Sequence, residues 1–269
     1  MPPEGRRHRL GQHFLRHPGA LARIVAAAEL SAADTVVEVG AGTGILTAAL
    51  AAAAGRVLAV EVDRRLIPRL KERLAAHGLA NVEVVEQDIL AFDLEGAAER
   101  FGPLKVVGNL PYSISSPVVF RLLELRRFVP LAVLMFQREV AARLAAPPGG
   151  KDYGILTVLV QQAARVEWVM ELEPKHFQPP PNVRSAVMKL VFPPEPPCPV
   201  ADAALFARVV KAAFGQRRKT LHNALRALGL PPEELDQLLS AAGIAPGLRA
   251  ERLSVADFAR LADRLAARP

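Results

Sequence analysis

The sequence predicts an α/β fold, a mostly parallel sheet with helices on both faces, followed by a small all-helical domain. Three observations carry this: β-branched runs at strand–helix–strand spacing, a proline-rich break, and helical periodicity beyond it. The runs are Thr35–Val39, Val57–Val62, Val82–Glu86, Leu104–Val107, Leu131–Phe136, Arg165–Val169 and Arg184–Phe192. Ala/Leu/Arg-rich helical stretches, such as Arg64–His77 and Pro117–Leu125, separate the first five, which is the pattern of a parallel sheet. The stretch between the last two holds Pro174 and Pro179–Pro181 and is too poor in helix formers for a crossover helix. An antiparallel strand is therefore expected at that edge.

Pro193-Pro194-Glu195-Pro196-Pro197-Cys198-Pro199 is a stiff, extended break between packing units. Beyond it, Leu221, Leu225 and Leu228 share one helical face, and Pro231-Pro232-Glu233-Glu234 opens a further helix. The domains expected are residues 1–193 with a basic N-terminal arm over 1–17, a linker over 194–200, and a helical domain over 201–269.

The chain of 269 residues is half apolar, yet no run reaches the roughly 18 apolar residues of a membrane span. The basic N-terminus lacks the hydrophobic stretch of a secretory signal. One cysteine, Cys198, excludes an intramolecular disulfide and points to a reducing compartment, so a cytoplasmic location is expected. Histidine, cysteine and acidic residues nowhere show metal-ligand spacing, and no metal is expected. The net charge is +7, with Arg outnumbering Lys 27 to 7. Forked guanidinium groups suit phosphate, although such a bias also follows from base composition or a hot habitat.

The chemistry begins at Glu38-Val39-Gly40-Ala41-Gly42-Thr43-Gly44, which follows the first long strand and opens a helix. Glycines there allow a tight turn and close approach of a ligand. Glu61 ends the next strand, 21 residues after Gly40, where an acid accepts from ribose hydroxyls. Asp88 ends the third, placed to reach an adenine edge. A nicotinamide dinucleotide and S-adenosylmethionine are the two candidate cofactors. The glycines run G-x-G-x-G behind an acid, whereas a dinucleotide site has G-x-G-x-x-G. A pyrophosphate also disfavours a carboxylate such as Glu38, and the ammonium of a methionine moiety welcomes it. The reading is S-adenosylmethionine.

Asn109-Leu110-Pro111-Tyr112 closes the run Leu104–Gly108. It offers two acceptors, the Asn109 side-chain oxygen and the Leu110 carbonyl, with a flat ring beside them and a backbone set by Pro111. Such a turn suits the exocyclic amino group of a planar heterocycle.

Taken together, the chain resembles the small-subunit ribosomal RNA adenine dimethyltransferases (the KsgA/Dim1 family) over nearly its whole length. The matching segments are Gly11–Leu15, Glu38–Gly44, Glu61, Asp88, Asn109–Tyr112, Phe177–Ser185 and Phe214–Leu221. The resemblance implies a Rossmann-like methyltransferase sheet, with His13, Leu15, Gly40, Glu61, Asp88 and Asn109 lining the methyl-donor site. Gly42 and Glu38 join them from the glycine turn. The family commonly carries Asn where this chain has His13, and histidine can likewise donate a hydrogen bond.

An adenine amino group is a poor nucleophile, its lone pair delocalised into the ring. Acceptance of its two N–H bonds by Asn109 and Leu110 favours pyramidalisation and directs the lone pair at the methyl group, so positioning supplies most of the catalysis. Tyr112 and Phe177 are expected to sandwich the flipped base. Between Leu205 and Arg226 stand Arg208, Lys211, Arg217, Arg218, Lys219 and Arg226 and no acid; Arg6, Arg7, Arg9, Arg16 and Arg23 face only Glu4. Arg6, Arg7, Arg217, Arg218 and Lys219 are the leading RNA-binding candidates.

The resemblance implies dimethylation of two adjacent adenines near the 3′ end of 16S ribosomal RNA, on the small ribosomal subunit or its precursor, by a monomer without membrane or metal. The readings weighed against it are a large-subunit ribosomal RNA methyltransferase, a glutamine-directed protein methyltransferase, and a non-catalytic assembly checkpoint or transcription-associated factor. The basic helical segment and Leu110 disfavour the first two, and intact Glu61, Asp88 and Asn109 disfavour the last.

Overall fold

The computed structural model describes residues 13–268. Two sheets form. The small one pairs β1 (Phe14–Leu15) with β8 (Phe177–Gln178) antiparallel. The large one has seven strands, β2 (Thr35–Val39), β3 (Arg56–Glu61), β4 (Val82–Glu86), β5 (Leu104–Asn109), β6 (Leu131–Gln137), β7 (Arg165–Leu172) and β9 (Ser185–Val191), in the order β4-β3-β2-β5-β6-β9-β7. The neighbours from β4 to β6 run parallel, and β9 runs antiparallel to β6 as expected. This is a Rossmann-like sheet.

The central strands are buried on both faces, which is why they read as continuous Val/Leu/Ala runs rather than alternating ones. Helices α1 (Pro18–Ala27), α2 (Ile45–Ala51), α3 (Ile67–Ala76), α4 (Leu94–Phe101) and α5 (Ser115–Glu124) flank them, and α6 (Arg138–Leu144) and α7 (Ile155–Ala163) follow β6 in the chain. Local signals set their starts. The His17 ring accepts from Ala20 N at 3.1 Å ahead of Pro18, and Asp93 caps α4 through Gly96 N.

After β9 come α8 (Ala203–Gly215), α9 (Leu221–Leu225), α10 (Pro232–Ala241) and α11 (Val255–Ala266). Asp202 caps α8 by accepting from Ala204 N and Leu205 N, and Ser254 and Asp257 form a reciprocal capping box on α11. Leu221 and Leu225 are buried; Leu228 falls in a short 3₁₀ turn and is half-buried.

The chain divides into two compact units, residues 1–141 with 167–192, and residues 142–166 with 193–269. This departs from the expected boundary, because 142–166 belongs to the second unit. Helix α7 is apolar nearly all round, with Val158, Leu159 and Val160 buried, so it needs neighbours on every side. Gln162 ties it to the proline-rich segment, donating from Nε2 to the Cys198 carbonyl at 2.9 Å and accepting the Cys198 N–H on its own carbonyl at 3.2 Å.

The chain leaves β2 for β3 and β4, then returns to β5 on the other side of β2. The crevice at this reversal lies outside the carboxyl ends of β2 and β5, where open α/β sheets bind ligands. The two strands are unusually close there. A Cβ on Gly108 would lie 2.7 Å from the Val39 carbonyl oxygen. Gly108→Ala should therefore cost about 1–3 kcal/mol through overpacking, read as a lower urea midpoint of the purified protein. An unchanged midpoint would mean that the strands separate freely.

Candidate active site

The cleft at this reversal holds about 750 Å³ including its open mouth. Its floor is the glycine turn. Gly40, Gly42 and Gly44 all have left-handed backbones, at φ of 71°, 58° and 79°. Gly40 N and Ala41 N donate to the Val60 carbonyl, fixing the turn to β3. Gly42 has a second reason to lack a side chain, since a Cβ would come within 3.0 Å of the Phe14 ring.

Glu61 is 3% exposed, and burial pushes its carboxyl above the ordinary range. One oxygen accepts from Gly42 N at 2.7 Å and the other from Asp63 N at 2.8 Å. These bonds oppose the burial effect and lock the acid to the turn. Each oxygen keeps a further lone pair for a hydroxyl ligand. Asp88 lines the same cleft, exposed, with Oδ1 accepting from Leu90 N at 2.9 Å. Val62, 53% exposed, and Ile89 supply apolar walls.

Across the cleft, Asn109 Nδ2 donates to the His13 main-chain carbonyl at 2.7 Å. A carbonyl only accepts, so this contact identifies the nitrogen end of the amide and leaves Oδ1 as the acceptor. Pro111, at ψ 133°, turns the chain, and Ile114 N closes the turn onto the Pro111 carbonyl at 3.0 Å. The half-buried Tyr112 is held by its hydroxyl, 3.2 Å from the buried Ser185 Oγ. His13, Leu110, Pro111 and Tyr112 all line the cleft.

Three expected site residues lie elsewhere. Phe177 is 4% exposed, packed in the hydrophobic core opposite Leu15, and does not line the cleft; of the expected aromatic sandwich only Tyr112 is in place. Leu15 is likewise a core residue. Glu38, expected beside an ammonium, is 1% exposed and buried behind the turn. Burial pushes its carboxyl up to about 8; the nearby Thr47 hydroxyl offsets part of this and the charge of Glu61 adds to it. Neither the Thr47 hydroxyl nor Glu38 Oε2 completes a hydrogen bond of normal geometry.

Phe14, Val62, Gln87 and Ile89 line the cleft without having been singled out. The neighbours of Glu61 and Asp88 at strand ends were the available signal for Val62, Gln87 and Ile89. Among the basic candidates, Arg208, Lys211, Arg217, Arg218, Lys219 and Arg226 are exposed. Arg217 is partly committed already, donating through Nη2 to the carbonyls of Lys151 at 2.9 Å and Tyr153 at 2.7 Å. Arg6 and Arg7 lie outside the described residues. Among those described, no group of three or more His, Cys, Asp or Glu is placed to hold a metal ion, and no helix is long and apolar enough to cross a membrane.

A parallel sheet with a glycine turn, a buried acid gripping that turn and an Asn-Leu-Pro-Tyr turn at one crevice is the arrangement of an S-adenosylmethionine-dependent methyltransferase. The chain belongs to the ribosomal RNA adenine dimethylase family, whose model matches residues 4–267. It is 44% identical over 265 residues to the ribosomal RNA small subunit methyltransferase A of Geobacter sulfurreducens, covering 97% of this chain and 95% of that one. The protein of the same name from Pelotomaculum thermopropionicum is 46% identical over 268 residues, covering 96% and 90%. A dimethyladenosine transferase from Plasmodium falciparum superimposes with TM-score 0.77 at 29% identity, over 93% of this chain and 96% of that one. The 23S rRNA methyltransferase ErmE does so with TM-score 0.73 at 31% identity, over 94% and 99%.

The buried Glu38 carboxyl makes a testable contribution to stability. Its folded value lies above the ordinary 4.5, so between about pH 4.5 and 8 the folded state binds more protons than the unfolded one. Stability therefore falls as pH rises through that window, by on the order of a few kcal/mol. Glu38→Gln should flatten this dependence and unfold at a higher temperature than the parent above pH 8. Parallel melting curves from pH 5 to pH 9 would count against a buried acid here.

Proposed function

We propose that this chain transfers methyl groups from S-adenosylmethionine to N6 of two adjacent adenines near the 3′ end of 16S ribosomal RNA. The product is N6,N6-dimethyladenine, formed during assembly of the small subunit by a monomer in the cytoplasm. The observation that carries the reading is the orientation of Asn109, whose amide nitrogen is occupied by His13 and whose oxygen is left to accept. The names of the near-full-length relatives support the small subunit as substrate.

The donor supplies an electrophilic methyl group on a sulfonium. The glycine turn, Glu61 and Asp88 would hold it, Glu61 through ribose hydroxyls and Asp88 through an adenine edge. Asn109 Oδ1 and the Leu110 carbonyl accept the two N–H bonds of the target amine. That favours a pyramidal nitrogen with its lone pair along the transfer axis. As the N–C bond formed, the S–C bond to the methyl group would break and the thioether S-adenosylhomocysteine would leave. The nitrogen, then cationic, would release its proton to solvent water, so no strong base is required beforehand. Tyr112 offers a stacking face, steadied by Ser185.

Arg218 and Lys219, with Arg217 tethered beside them, are proposed to meet RNA phosphates. The N-terminal Arg6 and Arg7 are proposed to do the same.

Asn109→Ala should lower methyl transfer by about a thousandfold, through lost positioning, and leave S-adenosylhomocysteine affinity within a few-fold. Labelled methyl transfer to unmethylated small and large subunits, side by side, checks both catalysis and target. Incorporation into large subunits alone would overturn the small-subunit reading in favour of a 23S rRNA methyltransferase. Arg218→Ala with Lys219→Ala should flatten the salt dependence of RNA affinity by about one to two in slope. An unaltered slope would place the RNA elsewhere.

A further inference from the structure

Two hydrogen bonds meet at His13, and together they connect a proline turn to the acceptor of the target amine. The ring Nδ1 lies 2.8 Å from the Pro179 carbonyl oxygen, and the His13 main-chain carbonyl takes the Asn109 Nδ2 hydrogen at 2.7 Å. Because the Pro179 carbonyl only accepts, Nδ1 carries the hydrogen. It does so in the cation as well as in that neutral tautomer, so the bond survives protonation.

The neighbouring ladder explains why a side chain is used. Phe14 faces Gln178 and Leu15 faces Phe177, which sets residue 13 opposite residue 179. Residues 14/178 and 16/176 are the hydrogen-bonded pairs of this ladder, so at 13/179 the main-chain groups point away from the partner strand and make no bond across it. At the other end, Arg16 N donates to the His176 carbonyl at 2.9 Å. The His13 ring adds a bond across the strands at a position where the ladder itself makes none. A two-stranded pairing this short is weak by itself, so each added bond bears on where the main chain sits.

We propose that His13 is a positioning residue for methyl transfer. Its ring fixes the main chain against Pro179, and its carbonyl then holds the Asn109 amide with Oδ1 turned to the cleft. This deepens the reading of Asn109 as the amine acceptor and rests on it. Asparagine can stand in by construction, because its Nδ2 is bonded to Cγ as Nδ1 is in histidine. Aspartate has the same size but sets an oxygen against an oxygen, and leucine has no donor.

The test compares H13N, H13D and H13L by two measurements. In the free 15N-labelled protein, the Asn109 side-chain amide, assigned by its loss in N109A, should exchange slowly in the parent and in H13N. It should exchange at least about tenfold faster in H13L, as an exposed amide does. In single turnover on unmethylated small subunits at saturating donor, H13L should be about 10- to 100-fold slower. S-adenosylhomocysteine affinity should change less than about threefold, and H13N should stay within about threefold of the parent rate. H13D repeats the comparison with H13N should H13L prove unstable.

A protected Asn109 amide in H13L and H13D would overturn the proposal. So would a defect that lies wholly in donor affinity, which would make His13 a ligand contact. A parent protein that methylates no subunit would sink the functional reading instead, and the exchange measurement would still decide the positioning.

Discussion

The close approach of β2 and β5 is the constraint on which the site depends. These strands are adjacent only because the chain completes one half of the sheet and returns to the far side of β2. The reversal brings a turn that can embrace a donor and a turn that can hold an amine to one crevice. Gly108 lets the strands meet at Val39, and a Cβ on Gly40 would sit 3.7 Å from the Asn109 carbonyl oxygen. Methyl transfer asks for two reactants in line at short range. Here that demand is met by strand register, which costs nothing at the moment of reaction.

Glu61, Asp88 and Asn109 are held in the crevice by backbone partners. Glu61 grips Gly42 and Asp63 through their amides, Asp88 accepts from Leu90, and Asn109 leans on the His13 carbonyl. Backbone donors and acceptors are fixed by the fold, so the side chains that use them lose little further freedom on binding. Glu38 differs. It lies in a strand buried on both faces, so nothing on either side of the sheet solvates its charge.

Much of this was legible in residue order. Thr35–Val39 and Val82–Glu86 are strands with the expected bounds, because β-branched runs between helical stretches have few other solutions. Gly40, Gly42, Glu61, Asp88, Asn109 and Tyr112 converge as their strand-end positions required. What stayed illegible depends on direction. A strand buried on both faces has no period to show which way Glu38 points. Phe177 and Leu15 sit in a pairing of two residues per strand, too short for a pattern to separate core from cleft. The expected domain boundary followed the prolines, yet the buried faces of α7 placed residues 142–166 with the second unit. Arg217 counted as a free charge because sequence does not show the carbonyls of Lys151 and Tyr153 beside it.

The orientation of the Asn109 amide also bears on how the reaction ends. On the proposed reading the crevice presents two acceptors to the amine. Adenine satisfies both, monomethyladenine satisfies one, and dimethyladenine satisfies neither. Each methyl group thus removes one hydrogen bond from the complex and leaves a carbonyl oxygen facing carbon, which is disfavoured. The grip that selects the unmodified base becomes, step by step, a reason for the finished one to depart.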